Sequence, residues 1–294
     1  METKSTSVSI PDSDELIEVR KPTSLLIAQF FLFPLIIIAI CIGIFLLFGY
    51  MTYQQTTPQE YLNEVRTGSD HQRWQAAYEL SNVITSQKDK LRSTDFVNEL
   101  IKVYQGSREG DPRIRRYLAL TMGHLGDTRA VPVLIEGLND TDAENQMNDL
   151  LALGSIGDKS ATPVVVQRLS SPDPAMRKMA AFVLTALKDP SAVRGLQVAL
   201  NDTSDEVRWY AAIALAQVND ASGTDVLMQL TDHGYLDKLQ GYTPEQKSQL
   251  VINAVKCLGI LKFQPAKDRI LALSQSDPDL AVRDASLEAL KQLS

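Results

Sequence analysis

Three histidines, two cysteines and a recurring set of arginines and aspartates are the side chains here that could do chemistry. His71, His124 and His233 lie in separate stretches, and none has a carboxylate or thiol at the spacing of a metal site or a catalytic triad. Cys41 falls in an apolar run and Cys257 far along the chain, so neither a disulfide framework nor a metal-ligand pair is expected. Arg73, Arg115, Arg177, Arg208 and Arg283 recur once per stretch, as do Asp127, Asp158, Asp189 and Asp220. One of each per stretch is what an inter-repeat ion-pair ladder requires, and it is a poor match to a catalytic array. The glycines lack the strand-to-helix setting of a phosphate loop. The expectation is therefore a protein that is not an enzyme, with no catalytic residue, no metal ligand and no cofactor.

The elements that position these residues divide the chain into four parts. Residues 1–23 are rich in Ser, Thr, Asp and Glu, show no apolar periodicity and read as a disordered tail. From Leu25 to Tyr50 the only clearly polar side chain is Gln29, which predicts a transmembrane helix over 24–50, long enough for a bilayer core of roughly 30 Å. Arg20 and Lys21 precede it and the next basic residue is Arg66, so the expected localisation is a single-pass inner (cytoplasmic) membrane protein. Its N-terminus would be cytoplasmic and the remainder periplasmic, on the outer side. Residues 51–68 read as a linker and a short capping helix opened by Thr57-Pro58-Gln59-Glu60. The net charge of −7, from 29 Lys+Arg against 36 Asp+Glu, leaves no cationic excess for a nucleic-acid track.

Residues 69–294 repeat with a period of 31. Gly126-Asp127, Gly157-Asp158, Lys188-Asp189 and Asn219-Asp220 are in register, each followed three residues after its Asp by a small residue: Ala130, Ala161, Ala192 and Gly223. Leu134, Val165, Leu196 and Leu227 follow on a short helix. A second helical stretch ahead of each Asp opens at Asp111-Pro112, Asp142, Asp173-Pro174 and Ser204-Asp205, where N-caps and first-turn prolines belong. The predicted fold class is all-α: a transmembrane helix followed by an α-α superhelix of about six repeats and a terminal helix.

The segment DPRIRRYLALTMGHLGDTRAVPVLIEGLND, Asp111 to Asp140, resembles the short HEAT-like repeat named for phycobilisome lyases and widespread in bacterial scaffolds. That resemblance covers roughly residues 69–294 and implies a solenoid, while arrays of this kind serve many functions. Members with di-iron hydroxylase activity carry His-Glu dipeptides, which this sequence lacks. Lyase members handle a tetrapyrrole, so a lyase-like, cofactor- or chromophore-handling chaperone is the alternative reading.

In such a solenoid the second helices are expected to line the concave side, with Glu136, Gln167, Val198 and Gln229 pointing outward and Arg168 and Arg194 adjacent. This mixed, weakly patterned surface suits a protein better than a buried small-molecule substrate. The loop Asp232 to Tyr242 breaks the period and offers Tyr235 and Tyr242 as further contacts. Trp74 and Trp209 occupy equivalent places and read as packing residues at a helix edge. In the third unit Gln146 replaces the recurrent Arg, and Asp149 stands where its neighbours carry Ala or Leu, with Asn145 beside it. A carboxylate in a packed column must be paired or functional. The expected function is a membrane-anchored scaffold or adaptor binding another membrane or periplasmic protein, with the bilayer itself engaged through residues 24–50.

Overall fold

A computed structural model describes residues 31–52, 56–84, 88–92 and 95–294, and the chain divides between Thr56 and Thr57 into two units. In the first, helix α1 (Phe33–Thr52) carries apolar side chains that are exposed up to Phe48. Among the described residues no helix is long and apolar enough to cross a membrane. This corrects the expected transmembrane helix over 24–50 and the inner-membrane localisation with its cytoplasmic N-terminus and periplasmic solenoid. The tail 1–23, Gln29 and residues 24–30 lie outside the described residues.

The second unit is a helical repeat solenoid, with no strand among the described residues. It opens with α2 (Pro58–Thr67), whose Thr57 and Glu60 form a reciprocal capping box. There follow α3 (Asp70–Val83), the short α4 (Lys88–Arg92) and α5 (Phe96–Gly106). Four regular pairs come next: α6 (Pro112–Leu125) with α7 (Val131–Gly137), α8 (Ala143–Ile156) with α9 (Thr162–Arg168), α10 (Pro174–Leu187) with α11 (Val193–Ala199), and α12 (Asp205–Gln217) with α13 (Thr224–Leu230). A short helix α14 (His233–Leu236) precedes α15 (Pro244–Ile260), α16 (Lys267–Ser276) and α17 (Leu280–Leu293).

Each corner of a regular pair is built from three adjacent features. The first helix gives way to a residue in left-handed conformation, its cap Gly126, Gly157 or Lys188 in three pairs and Asn219, one residue past the cap Val218, in the fourth, all with positive φ. The next residue, Asp127, Asp158, Asp189 or Asp220, accepts the backbone N–H two residues on and caps a single 3-10 turn. The small residue closing that turn is buried, and at Gly223 an added Cβ would come within 2.7 Å of the Ala212 Cα atom. Leu118, Leu134, Leu150, Val165, Leu184, Leu196, Leu215 and Leu227 fill the column between the helices.

The aspartates of the corner are therefore not the partners of the recurrent arginines, which corrects the expected ladder. Two of the arginines pair instead with carboxylates 25 residues further on, Arg115 Nη1 with Asp140 at 2.8 Å and Arg177 with both oxygens of Asp202 at 2.7 and 2.9 Å, while Arg73 and Arg208 meet Asp70 and Asp205 three residues back. The side chain at this place also reaches the backbone carbonyl six residues back, as Gln146, Arg177 and Arg208 all do. In the third unit Gln146 keeps the backward bond, while Ser171 stands where the forward carboxylate would be. Both ends of that rung are missing together.

Candidate functional site

The irregular third unit is where polar groups accumulate in the interior. In α5, Val97, Leu100 and Tyr104 match the spacing of Val131, Leu134 and Leu138 in α7, so Tyr104 occupies a leucine position. Its hydroxyl donates to Asp149 Oδ1 at 2.6 Å and accepts from Arg115 Nη2 at 2.8 Å. The Arg115 guanidinium also lies over the Tyr104 ring, 4.5 Å from its centroid. Asp140, the partner of Arg115, accepts from Asn145 Nδ2 at 3.1 Å, and Asn145 Oδ1 accepts from Arg116. Helices α5, α6 and α8 and the loop after α7 thus converge on one polar network.

Asp149 is 1% exposed. Burial is the main reason its carboxyl is pushed up to about 7, with the Tyr104 hydrogen bond and Arg115 opposing and Asp140 adding to the rise. Oδ2 is buried with no hydrogen-bond partner, so it is the atom on which a proton is tolerated. It lies against Gly137, where a Cβ would collide with both Asp149 Oδ2 and the Tyr104 hydroxyl. Tyr104 is held far above the ordinary phenol range by burial and by the Asp149 charge. For Arg115, burial works against the charge, but Tyr104, Asp140 and Asp149 outweigh it and the guanidinium stays firmly protonated.

Beside this network lies an open pocket of about 390 Å³ lined by Arg108, Arg115, Glu136, Asn139, Asp140 and Thr141. A ligand there would meet Arg115 and Asp140 but not the sealed carboxylate beneath them. Asp149 and Tyr104 consequently act on Arg115, and through it on the pocket wall.

The residues singled out from sequence fall into three groups. Asn145 and Asp149 are brought together in the buried network. Glu136, Gln167, Arg194 and Gln229 are exposed on successive second helices, with Glu136 paired to Arg108. Arg168 is turned inward along the array, donating to the Leu138 carbonyl at 2.9 Å and to Asn139, so it ties one repeat to the one before. Tyr235 and Tyr242 both converge on Trp209: the indole N–H donates to the Tyr235 hydroxyl at 3.2 Å, and the Tyr242 ring meets the indole edge-on at 5.6 Å. Trp209 is buried, and burial followed by the Glu206 charge pushes Tyr242 up to about 12. The inserted loop is thereby pinned to α12.

Two arrangements had no signal in the sequence. Tyr104 lies 45 residues from Asp149, outside the regular register. His233 Nε2 sits 2.8 Å from Asp277 Oδ2, a carboxylate 44 residues away that is almost wholly buried. This partner lies outside any metal-site or triad spacing and comes from the fold alone. Asp277 Oδ1 accepts the Asp279 N–H, so the pair fastens the inserted loop to the turn before α17.

Together the stacked helix pairs, their capped corners and the buried rungs define an α-helical repeat protein. More specifically, residues 97–170 and 162–241 match the family described as HEAT repeats, so the chain carries HEAT repeats over this central stretch. Among solved structures, the complex of CpcE and CpcF of phycocyanin lyase from Nostoc sp. PCC7120 matches at 18% identity and a TM-score of 0.54, over 82% of this chain and 96% of that one. An engineered protein matches at 18% identity and a TM-score of 0.52, over 80% of this chain and 68% of its own. At such identity the likeness is one of fold. No curated protein matches the sequence.

Proposed function

We propose that the chain is a protein-binding scaffold whose second helices present a continuous docking row to a partner protein. The observation that carries this reading is the exposure, once per repeat, of Glu136, Gln167, Val198 and Gln229 at the same register, with Val198 74% exposed. A polar row with an unburied aliphatic side chain at its middle suits the mixed surface of a protein interface. Its length is set by rigid stacking, so the partner is read along several repeats at once. The buried Tyr104, Asp149 and Arg115 network supports the row at Glu136 by fixing Arg115 and Asp140 in the adjoining wall.

The test is a photo-crosslinking residue placed at Val198 or Gln229 of the full chain. One discrete adduct is expected from both sites, absent when the probe is at Phe182 on a first helix, and lost when Gln167 is changed to Glu. Equal adducts from the first-helix site, or none from the row, would remove the basis of the reading. A lyase-like, cofactor-handling role is the second reading, favoured by the fold in common with the CpcE and CpcF complex; visible absorbance of the purified chain would select it.

A further inference from the structure

At its N-terminal end the second-helix row changes character. Aligning Val97, Leu100 and Tyr104 with Val131, Leu134 and Leu138 puts Lys102 in the place of Glu136, so the row continues as Lys102, Glu136, Gln167, Val198, Gln229. Lys102 borders a half-enclosed pocket of about 350 Å³ between α2, α3 and α5. Its floor is apolar, from Leu62, Val65 and Val103, and its charged lining is Arg66, Arg73 and Lys102 against the single acid Glu99.

Those charges are poorly matched within the fold. Glu99 accepts from Gln59 Nε2 at 2.5 Å. Arg66 donates to the neutral Asn63 Oδ1 at 3.1 Å. Arg73 is anchored through Nε to the Val65 carbonyl at 2.9 Å, and its nearest carboxylate, exposed Asp70, is 3.7 Å away. Lys102 makes no ion pair among the described residues. Three cations facing one acid around an apolar floor is a local excess of positive charge on a chain whose net charge is −7. Like charges lining one pocket repel one another, and an incoming anion relieves that repulsion in a site partly shielded from water. The volume is at the low end for a ligand site, enough for an acidic side chain with its aliphatic stem.

We propose that this pocket receives an acidic side chain of a peptide segment, whose following residues run onto the row from Glu136 to Gln229. The inference rests on the scaffold reading and names the chemistry of the partner's leading end. Its floor takes the methylenes of a glutamate-like side chain, while Arg66, Arg73 and Lys102 take the carboxylate, the first two as forked donors and the third as a point charge.

The experiment is fluorescence anisotropy of a fluorescein-labelled hexaglutamate peptide with the full chain at low and moderate salt. Saturable binding is expected, weakening as salt is raised. Lys102→Glu and Arg66→Glu are each expected to weaken it by about tenfold or more, because each replaces an attraction by a repulsion. Both side chains are exposed, so circular dichroism should remain that of the parent. Lys159→Glu, remote on an exposed corner, is the control and should leave binding within about twofold, the screened effect of a distant charge. Equal binding of a hexaglutamine peptide, equal loss in the Lys159→Glu control, or full displacement by an equal concentration of inorganic phosphate overturns the assignment. Retained crosslinking at Val198 with no hexaglutamate binding sinks the pocket alone. Hexaglutamate binding with no crosslink along the row sinks the scaffold reading alone.

Discussion

Replacing Asp149 by asparagine tests the buried network directly. In the folded chain the carboxyl sits near 7 instead of its ordinary 3.8, and burial is the largest cause. A carboxyl whose folded value is raised is tolerated in its protonated form below the unfolded value, and that tolerance is lost as pH rises through the folded value. The full penalty is the difference between the two values, roughly 4 kcal/mol at about 1.36 kcal/mol per unit. Between pH 5 and pH 8 roughly half or more of it develops, about 2–3 kcal/mol. The asparagine side chain would still accept the Tyr104 hydroxyl through its carbonyl oxygen but does not titrate. The assay is urea unfolding of parent and Asp149→Asn at half-unit steps over that range, followed by far-ultraviolet circular dichroism. The parent should lose stability relative to the variant as pH rises, by the stated amount and mostly below pH 7. Parallel profiles would show that Asp149 is ionised without cost in the fold, and the account of Oδ2 as an unpartnered, proton-accepting atom would be wrong.

Two further outcomes follow from the same geometry. Gly137→Ala places a methyl group against Asp149 Oδ2 and the Tyr104 hydroxyl and should cost about 1–3 kcal/mol in urea unfolding. Part of that loss, the share due to the carboxylate and not to the Tyr104 hydroxyl, should be recovered when Asp149→Ala is combined with it, and strict additivity of the two would argue against the contact. The missing rung of the third unit can be restored with Gln146→Arg and Ser171→Asp together, since Arg177 and Asp202 show the pairing 25 residues apart. A double-mutant cycle should return a favourable coupling of about 1 kcal/mol, and a coupling of zero would mean that register alone does not bring these two positions together.

What the sequence by itself determined is the repeating corner and the period of 31. A left-handed residue, a capping Asp and a small residue act through bonds that close within three or four positions, so Gly126, Asp127 and Ala130 announce their geometry wherever they occur. Asp149 and Asn145 were also legible, because periodicity makes a carboxylate in a leucine column conspicuous. Only the tertiary structure decided what they bind. Tyr104 comes from a unit displaced from the register by a longer loop, and its 45-residue separation from Asp149 matches no local pattern. The choice of Asp140 and Asp202 over Asp127 and Asp189 as arginine partners depends on the reach of a guanidinium across a turn. His233 meets Asp277 only because the inserted loop folds back over the last helices, with Trp209 holding its tyrosines. Long-range pairing is set by stacking and loop closure, which no short window of residues encodes.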